Sequence, residues 1–398
     1  MISLGLAACT AIKEAPVPRE CAPCPEAPAC PAPPKATATA RPLQAANWED
    51  LPGWVNDNLV AALPAFLESC KALARRPQWP LWKTVCEAAN TLGVIDNEIL
   101  RLFFESNFEP YLLTNPNGTT EGMVTGYYEP LLRGSRTKTS VFSQPVLGVP
   151  DDLLTIDLSS VLPELRHMRL RGRLQGNRVV PYYSRAEITE ANRRQAFNGP
   201  TLLWVDDAIE LFFLHIQGSG RVQLPDGQMV RIGYADHNGH PYVSIGRTLI
   251  NRGELKSHQA SMQGIQAWGR ANPGRLEELL NTNPSFVFFQ ELASTGGSEA
   301  GPIGALGVPL TNERSIAVDP RYTPLGAPVF LATTRPNSPI SLQRLMMAQD
   351  TGSAIRGVVR ADFFWGFGAD AGSLAGKMRQ QGKMWVLLPR DSAASFMN

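Results

Sequence analysis

The sequence predicts a mainly β protein with helices near its N-terminus. Between Trp48 and Phe108, apolar residues recur three and four positions apart, which is the spacing of one buried helix face. After residue 118, short apolar runs alternate with Gly, Pro and Asn turns, which is typical of strands. The chain has 398 residues, enough for two domains if one domain takes about 150 residues.

The composition is that of an ordinary globular protein, with 43% hydrophobic and 18% charged residues. A formal net charge of +1 gives no strong positive field, so we expect no nucleic-acid partner. No stretch approaches the ~18 uninterrupted apolar residues of a membrane-spanning helix.

Three helices are predicted in the N-terminal part. The first has a face running from Leu59 to Cys70, the second covers Leu81–Leu92 and the third covers Asp96–Phe108. Asp96 is the predicted N-cap of the third helix. We expect these helices to pack against a core and to carry no chemistry.

The first predicted strand, Gly122–Pro130, contains the adjacent tyrosines Tyr127 and Tyr128. Neighbours on a strand point to opposite faces, so one ring faces the core and the other lies on the opposite face. That second ring could line a sugar groove, because aromatic faces stack on the C–H faces of sugars. The residue types alone leave both interpretations open.

The middle of the chain, Leu131 to Pro284, reads as short strands that suggest a small β-barrel, with Thr201–Val205 and Ile209–Ile216 among them. The glycines that follow the second run let backbone approach a ligand, and the neighbouring side chains offer amide and hydroxyl groups. No convincing helix or Walker element follows, so a phosphate site is not predicted. The candidate ligand-binding residues here are Gln217, Gly218 and Ser219.

The pair His237 and His240 beside Asp236 could suggest a metal ion. Zinc needs three or four protein ligands, and neither a cysteine nor a carboxylate set lies nearby in the sequence. The other histidines, His167, His215 and His258, are scattered along the chain. We therefore expect neither a metal nor another cofactor.

The C-terminal stretch Met347–Pro389 holds the candidate catalytic groups, Asp350, Asp362 and Asp370. Asp350 follows a buried-strand pattern and opens into a tight turn. Asp362 precedes a Phe-Phe-Trp triplet, and apolar surroundings raise a carboxyl pKa, so this group could act as a general acid. The alternatives are a surface carboxylate for Asp362 and a helix start for Asp370.

This stretch resembles the 3D domain, named for its three aspartates, found at the C-terminus of the membrane-bound lytic transglycosylase A (MltA) family. Four further blocks resemble that family and occur in its order, so that the resemblance spans roughly Leu51 to Pro389. These blocks are Gly126–Pro130, His215–Arg221, Asn238–Arg247 and Asn283–Phe289.

The resemblance implies a double-psi β-barrel with the helical region joined to it, a second small β-barrel inserted into it, and a groove between the two. The predicted boundaries are 1–8 for a signal-peptide remnant, 9–47 for a tether, 48–131 and 285–398 for the helical and double-psi barrel domain, and 132–284 for the inserted domain.

In function, the resemblance implies a lytic transglycosylase of the polysaccharide lyase type, an exotransglycosylase that cleaves the β-1,4 bond between MurNAc and GlcNAc in peptidoglycan. The family's catalytic aspartate falls on Asp362, with Asp350 supporting it and Asp370 least certain. Trp365 walls a sugar subsite or belongs to the core. The residues themselves leave endo and exo action open, as well as naked and peptide-bearing glycan.

Two other functions compete with this one. Asp350–Ser353 matches the aspartic-protease signature, but that chemistry needs a second such motif in hydrogen-bonding distance. The chain has no second motif, so only a homodimer could supply it. A non-lytic module that only binds peptidoglycan is the second alternative, because similar barrels bind the cell wall without cleaving it.

The N-terminal residues predict the compartment. Residues 6–9, Leu-Ala-Ala-Cys, resemble a lipobox with Cys9 as the lipidated residue, although only eight residues precede it. A Pro-, Ala- and Cys-rich tether follows, with Cys21, Cys24 and Cys30 in no clear metal-binding pattern. We expect a lipoprotein on the periplasmic face of the outer membrane, with glycan strands, and cell-wall synthesis or division proteins, as partners.

In an oxidising periplasm, Cys70 and Cys86 could form a disulfide across a helical hairpin, since their two helical patterns meet at the break Pro77–Pro80. The alternative is a pair of buried free thiols.

Overall fold

The computed structural model describes residues 42–93, 95–165, 168, 170–293 and 301–396. The predictions for Cys9, the tether cysteines and His167 lie outside these residues. Within them the chain forms a barrel lobe and an insert lobe, defined below. No helix in these ranges is long and apolar enough to cross a bilayer.

The strands of the two lobes are, in chain order, β1 (Leu43–Ala45), β2 (Phe108–Leu113), β3 (Gly122–Glu129), β4 (Leu131–Ser135), β5 (Gln144–Leu147), β6 (Leu154–Ile156), β7 (Leu170–Gln175), β8 (Arg178–Pro181), β9 (Thr201–Val205), β10 (Ser219–Gln223), β11 (Met229–His237), β12 (Val287–Glu291), β13 (Ser315–Val318), β14 (Pro328–Thr334), β15 (Ser341–Asp350), β16 (Arg360–Phe367) and β17 (Arg379–Pro389).

The α-helices are α1 (Leu63–Leu73), α2 (Trp79–Asn90), α3 (Asn97–Asn107), α4 (Arg185–Arg193), α5 (Ala208–Gln217), α6 (Ile245–Asn251), α7 (Met262–Ala271), α8 (Pro273–Asn281), α9 (Gly368–Ala375) and α10 (Ala393–Phe396). Short 3-10 turns occupy Trp48–Asp50, Trp54–Asn56, Leu59–Ala61, Pro163–Leu165, Ser257–Gln259 and Arg390–Ser392.

Six strands close into the barrel of the barrel lobe, in the order β3, β17, β14, β15, β13, β16 and back to β3. The pairs β13–β15 and β16–β3 are parallel, and the other four pairs are antiparallel. Strands β2 and β1 extend the sheet from β17. Closure leaves the barrel strands without free edges. The double-psi connection that the family resemblance implied stays a prediction.

The N-terminal helices pack on this barrel and share its core. Rings of Phe66, Phe104 and Phe108 meet at centroid distances of 5.6 to 5.8 Å. A buried ion pair fixes the helical segment to the sheet, because both carboxylate oxygens of Asp57 accept from Arg314 at 2.9 Å. The predicted N-cap of α3 is confirmed, since the Asp96 carboxylate accepts from the N–H of Ile99.

The insert lobe contains a six-stranded sheet in the order β12, β11, β10, β4, β9 and β5. A bridge between Gly148, just after β5, and Phe289 of β12 joins the two edges, so the sheet closes around its own apolar core. A separate sheet of β6, β7 and β8 and the helices α4–α8 complete the lobe. The predicted mainly β class with two barrel-like parts is therefore confirmed.

The prediction of a strand at Ile209–Ile216 was wrong, because these residues form helix α5. Asp207 caps this helix by accepting from the N–H of Ile209, and Gly218 ends it with a left-handed φ of 81°. The helix is buried on nearly every side and therefore shows no helical periodicity in its sequence. An apolar run of this length does not by itself distinguish a strand from a helix.

The predicted return to the barrel domain at residue 285 is also corrected. Strand β12 pairs antiparallel with β11, with Val287 opposite His237, and so belongs to the insert sheet. The barrel resumes only at β13. The sequence could not separate the two sheets, since β12 has the same apolar pattern as the barrel strands.

A disulfide joins Cys70 of α1 to Cys86 of α2, with the Cα atoms 5.5 Å apart. The predicted disulfide is therefore present, and the alternative of two buried free thiols is not. It closes a loop of 16 residues beneath the barrel.

The double variant Cys70→Ser/Cys86→Ser should lose about 3 kcal/mol of unfolding free energy, because the unfolded chain gains the freedom of an open loop of this size. Urea unfolding followed by circular dichroism measures the loss. Dithiothreitol should lower the stability of the wild type by a similar amount and leave the double variant unchanged. Equal stability of variant and wild type would contradict this role of the disulfide.

Candidate active site

Two of the three candidate aspartates flank one small residue of the barrel. Ala317 of β13 pairs with Asp350 of β15 on one side and with Asp362 of β16 on the other. Paired residues on adjacent strands point to the same face, so both carboxylates project from one face, with Cα atoms roughly 10 Å, or two strand spacings, apart. Thr125 of β3 pairs with Asp362, and Arg379 of β17 pairs with Thr125. One row of paired residues therefore crosses the barrel strands, in the order Asp350, Ala317, Asp362, Thr125 and Arg379.

The Asp362 carboxyl lies at the centre of this row and is half-buried. Burial raises its pKa above the usual aspartate range, and the charge of Asp350 raises it further. The Thr125 hydroxyl donates to Asp362 Oδ1 at 2.6 Å, and this bond, with the Arg360 charge, lowers the pKa in opposition. The protonated and ionised forms of Asp362 are thus both stabilised by specific neighbours.

Asp350 is surrounded by hydrogen-bond donors. Its Oδ1 accepts from the N–H groups of Ala305 and Thr351, each at 2.9 Å. Its Oδ2 accepts from the Tyr127 hydroxyl at 3.0 Å. Donors on both oxygens stabilise a negatively charged acceptor and fix its orientation. Asp362 differs, because in the described part of the chain only the Thr125 hydroxyl donates to it.

The adjacent tyrosines lie on opposite faces of β3, as the strand period requires. Tyr127 belongs to a small apolar cluster beneath the two aspartates, where its ring lies 5.2 Å from that of Phe364. Tyr128 belongs to the main core. Both are buried, at 8% and 7% exposure, so neither presents an open ring face to a sugar. Tyr127 instead acts on the site through Asp350.

Burial raises the pKa of the Tyr127 phenol well above its ordinary value, and the charges of Asp350 and Asp362 raise it further. The phenol therefore stays protonated and available as a donor.

The structure places Trp365 in the core, which is the alternative the sequence left open for it. The ring is 4% exposed, lies 4.6 Å from Phe363 and donates its indole N–H towards the sulfur of Met378. Trp365 and Phe363 are on the face of β16 opposite Asp362. The interpretation of Trp365 as the wall of a sugar subsite is corrected on this ground.

Asp370 is apart from the other two aspartates. It is exposed and lies in the first turn of α9, which begins at Gly368 after the extended residue Phe367. A carboxylate there is stabilised by the positive end of the helix dipole. The position supports the helix-start alternative, although the helix begins two residues before Asp370 and not after it.

The predicted glycine-rich loop, Gln217 to Ser219, lies at the boundary between the insert lobe and the barrel lobe. The Gln217 side chain accepts from the backbone N–H of Tyr128 at 3.0 Å, which links α5 to β3. Gly218 has a left-handed φ of 81° and ends α5, and Ser219 is buried at the start of β10. The sequence predicted these residues to bind a ligand; in the structure the Gln217 side chain joins the insert lobe to the barrel, and Gly218 and Ser219 form the turn from α5 into β10.

A buried ion pair lies where the chain leaves the barrel for the insert. Glu129, the last residue of β3, accepts from Arg221 of β10 at 2.9 and 2.8 Å, and Arg231 is 3.8 Å away. The Arg221 guanidinium lies 4.0 Å from the ring of Phe367, at the end of β16. Burial raises the pKa of Glu129, and the two arginines oppose this shift.

The histidine pair is used in local hydrogen bonds. His237 Nδ1 accepts from the N–H of Gly239, a His240 ring nitrogen bonds to the carbonyl of Tyr182, and Asp236 forms an ion pair with Arg171. Across the described ranges, no three His, Cys, Asp or Glu side chains are grouped as ligands for a metal ion.

Sequence reasoning missed Thr125, Ala317 and Arg360. The alternation along β3 was a usable signal for Thr125, since it lies two residues before Tyr127 and so on the same face. The positions of Ala317 and Arg360 depend on the pairing of β13, β16 and β3, which are far apart in sequence.

Two family models match the chain, the MltA specific insert domain at residues 123–290 and the 3D domain at residues 314–388. The chain is 34% identical over 284 residues to the membrane-bound lytic murein transglycosylase A of Escherichia coli K12, covering 69% of this chain and 67% of that protein.

Solved structures agree with this similarity. MltA from Neisseria gonorrhoeae in its monoclinic form is 42% identical with a TM-score of 0.74, covering 87% of this chain and 92% of that one. The E. coli MltA bound to chitohexaose is 27% identical with a TM-score of 0.65, covering 89% of this chain and 96% of that one.

Replacing Thr125 by the isosteric valine should raise the pKa of Asp362, because the hydroxyl that favours the ionised form is removed while burial is kept. Carbon-13 NMR titration of the aspartate carboxyls measures this, with the signal assigned by its loss in Asp362→Asn. The matched control is Thr119→Val, an exposed threonine in the turn before β3. An unchanged or lowered pKa in Thr125→Val would contradict the assigned effect of the bond.

Proposed function

Because the chain belongs to the MltA family of membrane-bound lytic murein transglycosylases, we propose that Asp362 is the single acid and base with which it cleaves the peptidoglycan glycan strand. The enzyme is a lytic transglycosylase of the lyase type, acting on peptidoglycan. The observation that carries the assignment to Asp362 is its half-buried carboxyl, with a raised pKa, at the centre of the row that includes Asp350 and Thr125.

In the first step, protonated Asp362 gives its proton to the oxygen that bridges MurNAc and GlcNAc. The bond between this oxygen and C1 of MurNAc breaks, GlcNAc leaves with a free 4-hydroxyl, and positive charge develops at C1. A raised pKa favours the protonated form that this step needs.

In the second step, the Asp362 carboxylate takes the proton of the MurNAc C6 hydroxyl, whose oxygen bonds to C1. The product is a 1,6-anhydroMurNAc end, and the carboxyl is protonated again. No water is consumed, because the nucleophile is part of the same sugar and needs no separate positioning.

The Thr125 hydroxyl has a role in both steps. Its bond to Asp362 Oδ1 fixes the orientation of the carboxyl and favours the ionised form, which is the form that acts as base. A group that alternates between acid and base works best when neither form is greatly favoured. Burial and the Thr125 hydroxyl act on the pKa in opposite directions and provide this balance.

Asp350 supports the positive charge at C1. Its carboxylate is held by Tyr127, Ala305 and Thr351 on the same face of the barrel as Asp362. Because these donors are already in place, the negative charge needs no reorganisation when the transition state forms. The separation of Asp350 from Asp362 by strand β13 does not fit an aspartic protease, which needs two carboxyls in hydrogen-bonding distance.

We place the glycan strand along this face, between the barrel and insert lobes. The E. coli relative bound to chitohexaose, an oligosaccharide, supports a saccharide ligand for this fold. The disulfide supports an oxidising compartment, in keeping with lipid attachment at Cys9 and a position on the periplasmic face of the outer membrane.

Asp362→Asn should lower the release of 1,6-anhydro-muropeptides from peptidoglycan sacculi by at least about a thousandfold, because the amide can neither donate nor accept the proton. Asp350→Asn should cost less, about a hundredfold, because the proton path is intact. Mass spectrometry of the products measures both effects.

Sacculus binding in a pull-down is the control for folding and should be nearly intact in Asp362→Asn. Full activity of this variant would exclude Asp362 as the acid. Products heavier by one water would indicate hydrolysis, and equal binding without any release by the wild type would indicate a non-lytic module.

A further inference from the structure

A cavity lies between the two lobes beside the row of Asp362. It has a volume of about 460 Å³ and is formed mainly by the segment from Tyr242 to Ile265 of the insert lobe, with Arg379 of β17 as its wall on the barrel side. The lining residues are Tyr242, Ser244, Gly246, Arg247, Ile250, Ser257, Ala260, Ile265 and Arg379.

The charged side chains that line this cavity are all positive. Arg247 and Arg379 line it from opposite lobes, and no carboxylate is among the lining residues. Both arginines are exposed, and neither guanidinium has a hydrogen bond or an ion pair with any residue in the described ranges. Arginines elsewhere on the insert surface, such as Arg252 and Arg275, are paired with Glu278 and Glu254.

The strand register fixes the distance between this cavity and the catalytic residue. Arg379 pairs with Thr125, and Thr125 pairs with Asp362, so Arg379 is two strands, roughly 10 Å, from Asp362. A peptide of three extended residues covers about the same length. A peptide of this length, attached to the sugar whose glycosidic bond is broken at Asp362, therefore reaches the cavity.

The remaining polar groups of the cavity suit a carboxylated ligand. The Tyr242 phenol is neutral near pH 7 and can donate a hydrogen bond beside the guanidinium groups. Guanidinium groups bind carboxylates with two parallel hydrogen bonds. The glycan backbone of peptidoglycan carries only a lactyl carboxyl group, which is joined to the stem peptide or, once the peptide is removed, is free but held close to the sugar ring. The stem peptide carries several carboxylates farther from the sugar.

We propose that this cavity binds a carboxylate of the murein stem peptide, so that the enzyme prefers peptide-bearing glycan to naked glycan. This inference rests on the function proposed above, since it takes the cleaved sugar to lie at Asp362. It assigns Arg247 and Arg379 as specificity-determining residues outside the proton-transfer site.

The test compares kcat/KM on peptide-bearing glycan strands and on the same strands after an amidase has removed the peptides. The wild type should prefer the peptide-bearing strands. Arg247→Gln and Arg379→Gln should each reduce that preference about fivefold, mainly through KM, which is the size expected for a charge pair at a partly exposed site. Added NaCl should reduce the preference of the wild type and have little effect in the double variant.

The matched control is Arg178→Gln, which removes one exposed arginine from the β7–β8 hairpin of the insert lobe, away from the cavity lining. It should keep the wild-type preference. Circular dichroism and thermal unfolding confirm that the variants are folded. A preference unchanged by both arginine substitutions, or an equal loss on both substrates, would overturn the proposal.

A binding measurement separates this proposal from the catalytic one. Calorimetry with Asp362→Asn should show tighter binding of a disaccharide–tetrapeptide than of the disaccharide alone, with the difference lost in Arg247→Gln/Arg379→Gln made on the same background. A retained difference in that combined variant would contradict the role of the arginines. This result does not depend on Asp362 being the acid, and absence of lytic activity in the wild type would contradict only the catalytic proposal.

Discussion

The register of β16 between β13 and β3 is the constraint on which the site depends. It places Asp362 opposite Ala317 on one side and Thr125 on the other. A slip of one residue would turn Asp362 into the core and expose Phe363, since successive side chains point to opposite faces. Burial of each large side chain on the core face is worth about 1.5–3 kcal/mol, so the wrong register is strongly disfavoured. The core residues Phe363 and Trp365 thus position the proposed catalytic carboxyl from the opposite face of the strand.

The same two strands also hold the lobes together. Strand β3 ends at Glu129 and β16 ends at Phe367, and both residues contact Arg221 of the insert lobe. Removing one partner of a buried ion pair typically costs about 3–5 kcal/mol, because the other charge is left without compensation. The orientation of the insert lobe is therefore fixed at the ends of the strands that carry Asp362 and Thr125. One local arrangement therefore fixes both the insert lobe and the strands that carry the proposed acid and its hydroxyl partner.

Local patterns in the sequence predicted the parts of the fold that depend on neighbouring residues. The N-cap at Asp96 and the opposite orientation of Tyr127 and Tyr128 follow from short-range rules. The pKa of Asp362 is raised as predicted, but by burial in the folded barrel and by the charge of Asp350 and not by Phe363 and Trp365, which lie on the opposite face of β16. The prediction failed at α5, where burial on all sides removed the periodicity that identifies a helix.

These short-range rules do not predict contacts between segments that are far apart in the sequence. Thr125 and Asp362 are 237 positions apart and meet only through the parallel pairing of β3 with β16. The assignment of β12 to the insert sheet likewise depends on its pairing with β11. The family resemblance located Asp362, but only the strand pairing identified the hydroxyl that adjusts its pKa.

A single carboxyl that serves as acid and then as base faces opposite requirements in the two steps. Deeper burial without Thr125 would favour the acid and weaken the base, because the ionised form would lose its one side-chain donor. A set of donors like that around Asp350 would do the reverse and leave too little of the protonated form. The barrel gives the first environment to Asp362 and the second to Asp350, one strand away on either side of Ala317. The unequal number of donors on two otherwise similar aspartates is thus the physical basis for assigning them different roles.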